Sequence, residues 1–203
     1  MPHHADSYLL PTSIRTKSQF WEHVISNLVP LLDGQRHWVT NLANTSSLVY
    51  HSLLSYPTFG DGPSSVNWCG FYIVSSLFPN PKIRMDHCAA SNISNRLLLG
   101  PFCGKPACQS IDTTPGRGQG VCADAFMSRR TIVVPDVETY PGHIACDGNT
   151  KSEIVCPLIL RSSGNEVSLG VFDLDCLAQG SFDEDDRTGL EKIAQLVVDA
   201  CDW

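Results

Sequence analysis

Nine cysteines stand in this chain of 203 residues, and four of them fall in stretches rich in glycine, proline and histidine. One stretch reads Leu99-Gly-Pro-Phe-Cys103-Gly-Lys-Pro-Ala-Cys108 and is followed by Gly116-Arg-Gly-Gln-Gly-Val-Cys122. The other reads Pro141-Gly-His-Ile-Ala-Cys146-Asp-Gly-Asn-Thr-Lys-Ser-Glu153. Thiols on loops can approach one another and a substrate, so Cys103, Cys108, Cys122 and Cys146 are the redox candidates. Cys122 lies at the expected start of a helix, and Cys146 lies three residues beyond His143; both settings favour the nucleophilic thiolate. Cys69, Cys88, Cys156, Cys176 and Cys201 fall within or beside expected strands and the last helix, and they read as buried structural residues. Zinc is the rival use of such thiols. A structural zinc site shows paired C-x2-C or H-x3-H spacings, and the nearest pairs here, Cys103/Cys108 and His143/Cys146, do not match. The expectation is therefore no metal. The Gly116–Gly120 cluster lacks the Gly-Lys-Ser/Thr ending of a phosphate loop and reads as a turn into a helix.

The carboxylates add a second kind of chemistry. Gly170-Val-Phe-Asp-Leu-Asp175 ends an apolar run in two acids at alternate positions, which strand geometry puts on one face. Glu153 opens the neighbouring strand and can stand beside them. Three acids around a thiol repel one another, which raises at least one pKa towards neutrality. Such a cluster supplies a general acid and a seat for an ammonium group. A solvated strand end is the plainer alternative. Trp68, Phe71 and Tyr72 share one strand and either fill the core or wall a pocket.

The elements that must position these residues follow from periodicity. Phe20, Trp21, Val24, Ile25, Leu28, Leu31 and Leu32 recur at helical spacing from a cap at Ser18, with Pro30 and Asp33-Gly34 at the exit. A second helix is expected over 38–54. Strands are expected over 66–74, 83–90, 96–100 and 132–134, and a hairpin over 153–160 and 166–174. Residues 101–120 read mainly as loop, 120–130 as a short helix and 183–200 as a closing helix with an acidic first turn. Helices flanking a run of mostly antiparallel strands predict an α+β fold with helices packed on a central antiparallel sheet of about six strands. Residues 1–17 read as a flexible extension and 18–203 as a single catalytic domain.

Composition limits the partners. A net charge of -7, with 21 acidic against 14 basic residues, leaves no basic stripe for phosphates, so no nucleic acid is expected. No apolar run is long enough to span a membrane. The first residues lack the basic and apolar segments of a secretory leader, and an odd cysteine count argues against a disulfide framework. A reducing, cytoplasmic setting is the expectation.

Taken together, these loops resemble the free methionine-R-sulfoxide reductases, a family built on the GAF domain. The resemblance runs from about Ser18 to the C-terminus. It rests on Asn67-Trp-Cys-Gly-Phe-Tyr72, Leu99-Gly-Pro-Phe-x-Gly-Lys-x-Ala-Cys108, Gly-Val-Cys122, Gly142-His-Ile-Ala-Cys146-Asp147, Ser152-Glu153-Ile-Val and Gly170-Val-x-Asp173-x-Asp175. It implies Cys146 as nucleophile, Cys108 as its disulfide partner and Cys122 as a third redox cysteine. It further implies Glu153, Asp173 and Asp175 around the substrate, with Trp68 and Tyr72 as aromatic walls. The implied reaction reduces free methionine-(R)-sulfoxide through a sulfenic acid and a disulfide. No bound cofactor is implied; thioredoxin, supplied by NADPH through thioredoxin reductase, is the external reductant, and a homodimer is in keeping with the family. The rival function is a non-catalytic GAF sensor of a small ligand or of thiol oxidation. The chain departs from the pattern in a longer stretch between Cys108 and Cys122, an extended hairpin at 161–168 and the extra thiol Cys103.

Overall fold

Thr16 and Asp183 start the first and last helices by the same device. The Thr16 hydroxyl accepts the Gln19 backbone N–H (3.2 Å) while the Gln19 side chain accepts the Thr16 N–H (3.3 Å). Asp183 and Asp186 make the same reciprocal box, satisfying donors that a helix start leaves open. The cap therefore lies at Thr16 and not at Ser18, because Gln19 stands at the third helical position that the box requires.

The computed structural model describes residues 4–60, 62–79, 95–117, 119–144, 146–162 and 164–203. Its helices are α1 (Lys17–Leu32), α2 (Trp38–Leu54), α3 (Val121–Ser128) and α4 (Glu184–Ala200). Its strands are β1 (Val66–Val74), β2 (Arg96–Gly104), β3 (Ser110–Asp112), β4 (Ile132–Val134), β5 (Ser152–Ser162) and β6 (Asn165–Cys176). They form one antiparallel sheet in the order β3-β2-β1-β6-β5-β4. The strand expected over 83–90, with Cys88, lies outside the described residues.

Two strand readings change. Ser110–Asp112, expected as loop, pairs with Arg96–Leu98 and supplies the sixth strand; three residues are too few to show an alternation. β2 also continues through Pro101 to Gly104, where a stop was expected. Its register against β1 shifts between Gly70 and Tyr72, and such a bulge tolerates a residue without a ladder N–H.

The sheet separates two cores. Helices α1, α2 and α4 cover one face, where Phe20, Leu28, Leu42, Phe71, Phe172 and Leu190 are fully buried. Trp21 closes that core at α4, its indole N–H donating to Asp186 (3.0 Å). Lys17 pairs with Asp183 (2.9 Å) and Asp186. Ahead of α1, Tyr8, Leu10 and Ile14 pack against the same core, and His23 donates to the Leu9 carbonyl (3.1 Å). The other face carries a smaller cluster under α3 and the two long loops, including Tyr72, Leu97, Val121, Val155 and Val171. The cysteine loops converge there.

Candidate active site

Strand alternation lays out the floor of the site. Glu153 on β5 lies directly opposite Asp175 on β6, and Asp173 lies opposite Gly70 on β1. Asp173 and Asp175 point to one side, as alternate residues of a strand must. Gly70 leaves room above Asp173: a β-carbon there would meet Phe102 Cβ at 2.3 Å and the Trp68 ring at 2.7 Å. Across that gap Trp68 stacks between Tyr72 and Phe102, with ring centroids 5.8 and 5.5 Å apart.

Two loops and a helix make the walls. Cys108, beyond β2, and Cys146, in the loop before β5, are joined as a disulfide with their Cα atoms 5.8 Å apart, within the span that such a bond requires. The Tyr72 hydroxyl donates to the Cys108 carbonyl (3.1 Å) and lies 4.0 Å from the Cys146 sulfur. Cys122, the second residue of α3, directs its thiol at Asp173 Oδ2 (3.3 Å). His143 meets Glu153 Oε2 at 3.1 Å. These groups line a cavity of about 290 Å³ with Tyr72, Cys108, Cys122, Cys146, Glu153, Asp173 and Asp175 all on its wall.

Two sequence-predicted residues stand elsewhere. Trp68 does not line the cavity; it forms the layer behind Tyr72, and its indole N–H is buried with no partner among the described residues. Cys103 lies across the ladder from Cys69, its thiol hydrogen-bonded to Ser47 on the far side of the sheet. It is separate from the other three redox candidates.

The electrostatics of the pocket come from burial and crowding. Desolvation, with a smaller push from Asp175, raises Glu153 to about 7 against the restraining hydrogen bond from His143. Burial first, and Glu153 second, hold Asp173 well above the usual carboxylate range. Asp175 rises in the same way, by burial and then by Asp173 and Asp147. Burial and crowding therefore favour the neutral forms of these acids beside the Cys108–Cys146 disulfide. Cys122 corrects an expectation: burial and the facing Asp173 and Glu153 drive its thiol well above the ordinary value, outweighing the helix terminus that was expected to favour thiolate. Cys122 is a neutral thiol donor in this state. Its sulfur and one oxygen each of Glu153 and Asp173 lie within 4.8 Å of one another, the one group of residues here arranged to hold a metal ion among those described.

Sequence reasoning missed the clip that holds the Cys146 loop. Asp147 accepts from Lys105 (3.0 Å) and Asn67 (3.3 Å), and its other oxygen accepts from the Asn149 backbone (3.1 Å). The Asp-Gly-Asn run after Cys146 signals a turn of this kind, but nothing local points to Lys105. The hydrogen bond from Tyr140 to Asp124 (2.7 Å) likewise ties the approach to this loop to α3.

The GAF domain family matches residues 84–202, more than half of the chain. The free methionine-R-sulfoxide reductase of Saccharomyces cerevisiae is 41% identical over 199 residues, covering 98% of this chain and 94% of that protein. A solved GAF domain structure is 42% identical with a TM-score of 0.78, covering 99% of this chain and 97% of its own. The free methionine-R-sulfoxide reductase of Neisseria meningitidis, solved in complex with its substrate, is 30% identical with a TM-score of 0.71 over 95% of each chain. At 41% identity across 98% of its length, with a GAF sheet carrying Glu153, Asp173 and Asp175 beside the disulfide, this chain belongs to the free methionine-R-sulfoxide reductases.

Proposed function

We propose that this chain reduces free L-methionine-(R)-sulfoxide to methionine with its own thiols. The observation that carries the reading is the Cys108–Cys146 disulfide at the mouth of a cavity floored by Glu153, Asp173 and Asp175. A sulfoxide sulfur is a poor electrophile until its oxygen is protonated, so the reaction needs a thiolate and an acid together. In the reduced chain the Cys146 thiolate attacks, and Asp173 or Asp175, held neutral by burial, supplies the proton. The sulfoxide oxygen passes to Cys146 as a sulfenic acid while methionine leaves with a thioether electron pair. The Cys108 thiol condenses with the sulfenic acid, releasing water and forming the disulfide. Cys122 is a third redox thiol whose neutral S–H supports Asp173.

Glu153 titrates near neutrality and is the acid available as a carboxylate for the substrate ammonium. A peptide-bound sulfoxide offers an uncharged amide at that position and leaves the carboxylate unpaired. Tyr72 orients the loop cysteines, and Trp68 acts through Tyr72 as the rigid layer behind it. A thioredoxin, kept reduced by NADPH through thioredoxin reductase, resolves the disulfide by exchange. The exposed Cys146 edge of the bond is accessible to that partner. The working compartment is the cytosol. The exposed Val29 and Val39 of α1 and α2 favour a homodimer, which light scattering tests.

The direct test mixes the chain with thioredoxin, thioredoxin reductase and NADPH and follows NADPH loss with each free epimer and with an N-blocked sulfoxide. Turnover confined to the free R epimer is expected. Ligand binding or disulfide formation without turnover would instead make the chain a sensor.

A further inference from the structure

The pocket holds a donor set whose composition exceeds what protonating a sulfoxide requires. Cys122 on α3, Glu153 on β5 and Asp173 on β6 bring a sulfur and two oxygens within 4.8 Å of one another. Each residue is more than nine-tenths buried, at 8%, 6% and 6% exposure. Asp173 Oδ1 is buried and has no hydrogen-bond partner among the described residues, so a carboxyl lone pair on the cavity wall is left unspent. His143, 3.1 Å from Glu153 on the same wall, holds that carboxyl in place from outside the donor set.

One thiolate and two carboxylates, with a water in the fourth position, are donors of the kind that zinc takes in tetrahedral sites. Calcium and magnesium demand oxygen ligands and larger or octahedral shells, so this set disfavours them. A thiol and two buried carboxyls this close together repel one another when charged. A divalent ion removes the repulsion and gives Asp173 Oδ1 a partner.

We infer that the reduced chain binds one zinc-class divalent ion on Cys122, Glu153 and Asp173, with water in the fourth position, and that the ion excludes the sulfoxide. Binding releases to solvent the Cys122 thiol proton and whatever protons the Glu153 and Asp173 carboxyls carry; the electron pairs stay on the ligands and nothing is oxidised. Displaced protons make the affinity rise with pH. The exclusion rests on the pocket being the sulfoxide site, whereas the ligation does not.

Free thiols at Cys108 and Cys146 would add cobalt-binding sulfurs, so the test uses the Cys108→Ser/Cys146→Ser double variant, which leaves the proposed ligands in place. Cobalt(II) is titrated into it and the sulfur-to-cobalt charge-transfer band recorded, then zinc is added to displace the cobalt. One cobalt per chain with the band of a single thiolate is expected. Adding Cys122→Ser should abolish the band, and adding Asp173→Asn should weaken zinc at least about tenfold. No band, or a band that survives Cys122→Ser, overturns the site. In a separate arm the intact reduced chain is mixed with sulfoxide in a single turnover, with and without zinc. Methionine formed at an unchanged rate with zinc bound overturns the exclusion. No methionine even without zinc overturns the reductase reading and leaves the cobalt result to stand by itself.

Discussion

The two faces of the sheet are built from the same strands yet hold opposite chemistry. On β6, Phe172, Leu174 and Cys176 join the core under α1, α2 and α4, while Val171 joins the core under α3 and Asp173 and Asp175 face the cavity. On β5, Cys156 faces the helices and Val155 the site-side core. On β1, Cys69 faces the helices and Trp68 the site side. A one-residue step along a strand thus decides whether a side chain fills the helix-covered core or faces the site. The helix-covered face could be made dry because its partners are long helices with continuous apolar stripes. The other face is covered mainly by α3 and loops, whose incomplete cover leaves a cavity where polar groups are useful. The surroundings of a cysteine in this chain are therefore set by the face it occupies.

The largest contrast expected is between one thiol from each face. Cys146→Ser should lower kcat in the coupled assay by at least about a thousandfold, as loss of a nucleophile does. Cys156→Ala, on the helix-covered face, should leave kcat within about twofold and cost about 1 kcal/mol in chemical denaturation. If Cys156→Ala silences turnover, the division between the faces is wrong.

Next in size is the effect of the acids on stability. Glu153 is raised from 4.5 to about 7 in the folded chain, so the folded state holds a proton that the unfolded state has released between those values. Its contribution to stability is complete below about pH 4.5 and is lost as pH rises through 7. Glu153→Gln should flatten this part of the stability-pH curve, followed by denaturant melts at successive pH values, while lowering kcat/KM for the free sulfoxide about a hundredfold. An unchanged slope would mean that Glu153 is charged in the fold.

Much of this contrast can be read from the residues in order. The alternation Asp173-Leu-Asp175 and the helical spacing of Phe20 to Leu32 each announce a buried face through their own period. A raised pKa among crowded acids can be read from the sequence, but burial, which no local pattern shows, makes the larger part of the Glu153 shift. What local pattern could not show depends on partners distant in sequence. Trp68 reads as a wall, but the stacking of Tyr72 and Phe102 around it is set by β1–β2 register. Cys122 reads as an activated thiol at a helix start, and burial together with the facing Asp173 and Glu153 reverses that. Ser110–Asp112 is a strand because β2 offers it an edge, and Asp147 is an anchor because Lys105 lies across the gap.

A matched pair of glycines separates packing from function. A β-carbon at Gly70, on the site face, meets Phe102 Cβ at 2.3 Å; one at Gly189, in α4, meets the Trp21 ring at 2.2 Å. Both alanine variants overpack and should cost about 1–3 kcal/mol. Gly70→Ala should also reduce kcat/KM of the folded fraction about tenfold, because Trp68 can no longer back Tyr72. Gly189→Ala should leave the activity of the folded fraction unchanged. Equal losses of activity per folded chain would show that the two cores act as one unit.

The smallest effect belongs to the clip on the disulfide loops. Lys105 lies three residues before Cys108, and Asp147 follows Cys146 directly, so their 3.0 Å ion pair ties together the segments that carry the two thiols. Lys105 is 64% exposed, and an exposed pair of this kind is worth less than about 1 kcal/mol. Lys105→Ala should therefore scarcely move the denaturation midpoint. Its effect should appear in the chemistry that depends on the separation of the loops: after a single turnover, Cys108 should condense with the Cys146 sulfenic acid a few-fold more slowly. Methionine release, which precedes that step, should keep its rate. Trapping the sulfenic acid with a dimedone probe during the reaction gives the readout, and more trapped adduct than in the parent chain is the expected result. The same clip should weaken with added salt, since the exposed half of the pair is screened, so the difference between variant and parent should shrink as ionic strength rises. A difference that persists at high salt would move the anchoring role from Lys105 to the Asn67 and Asn149 hydrogen bonds that Asp147 also accepts.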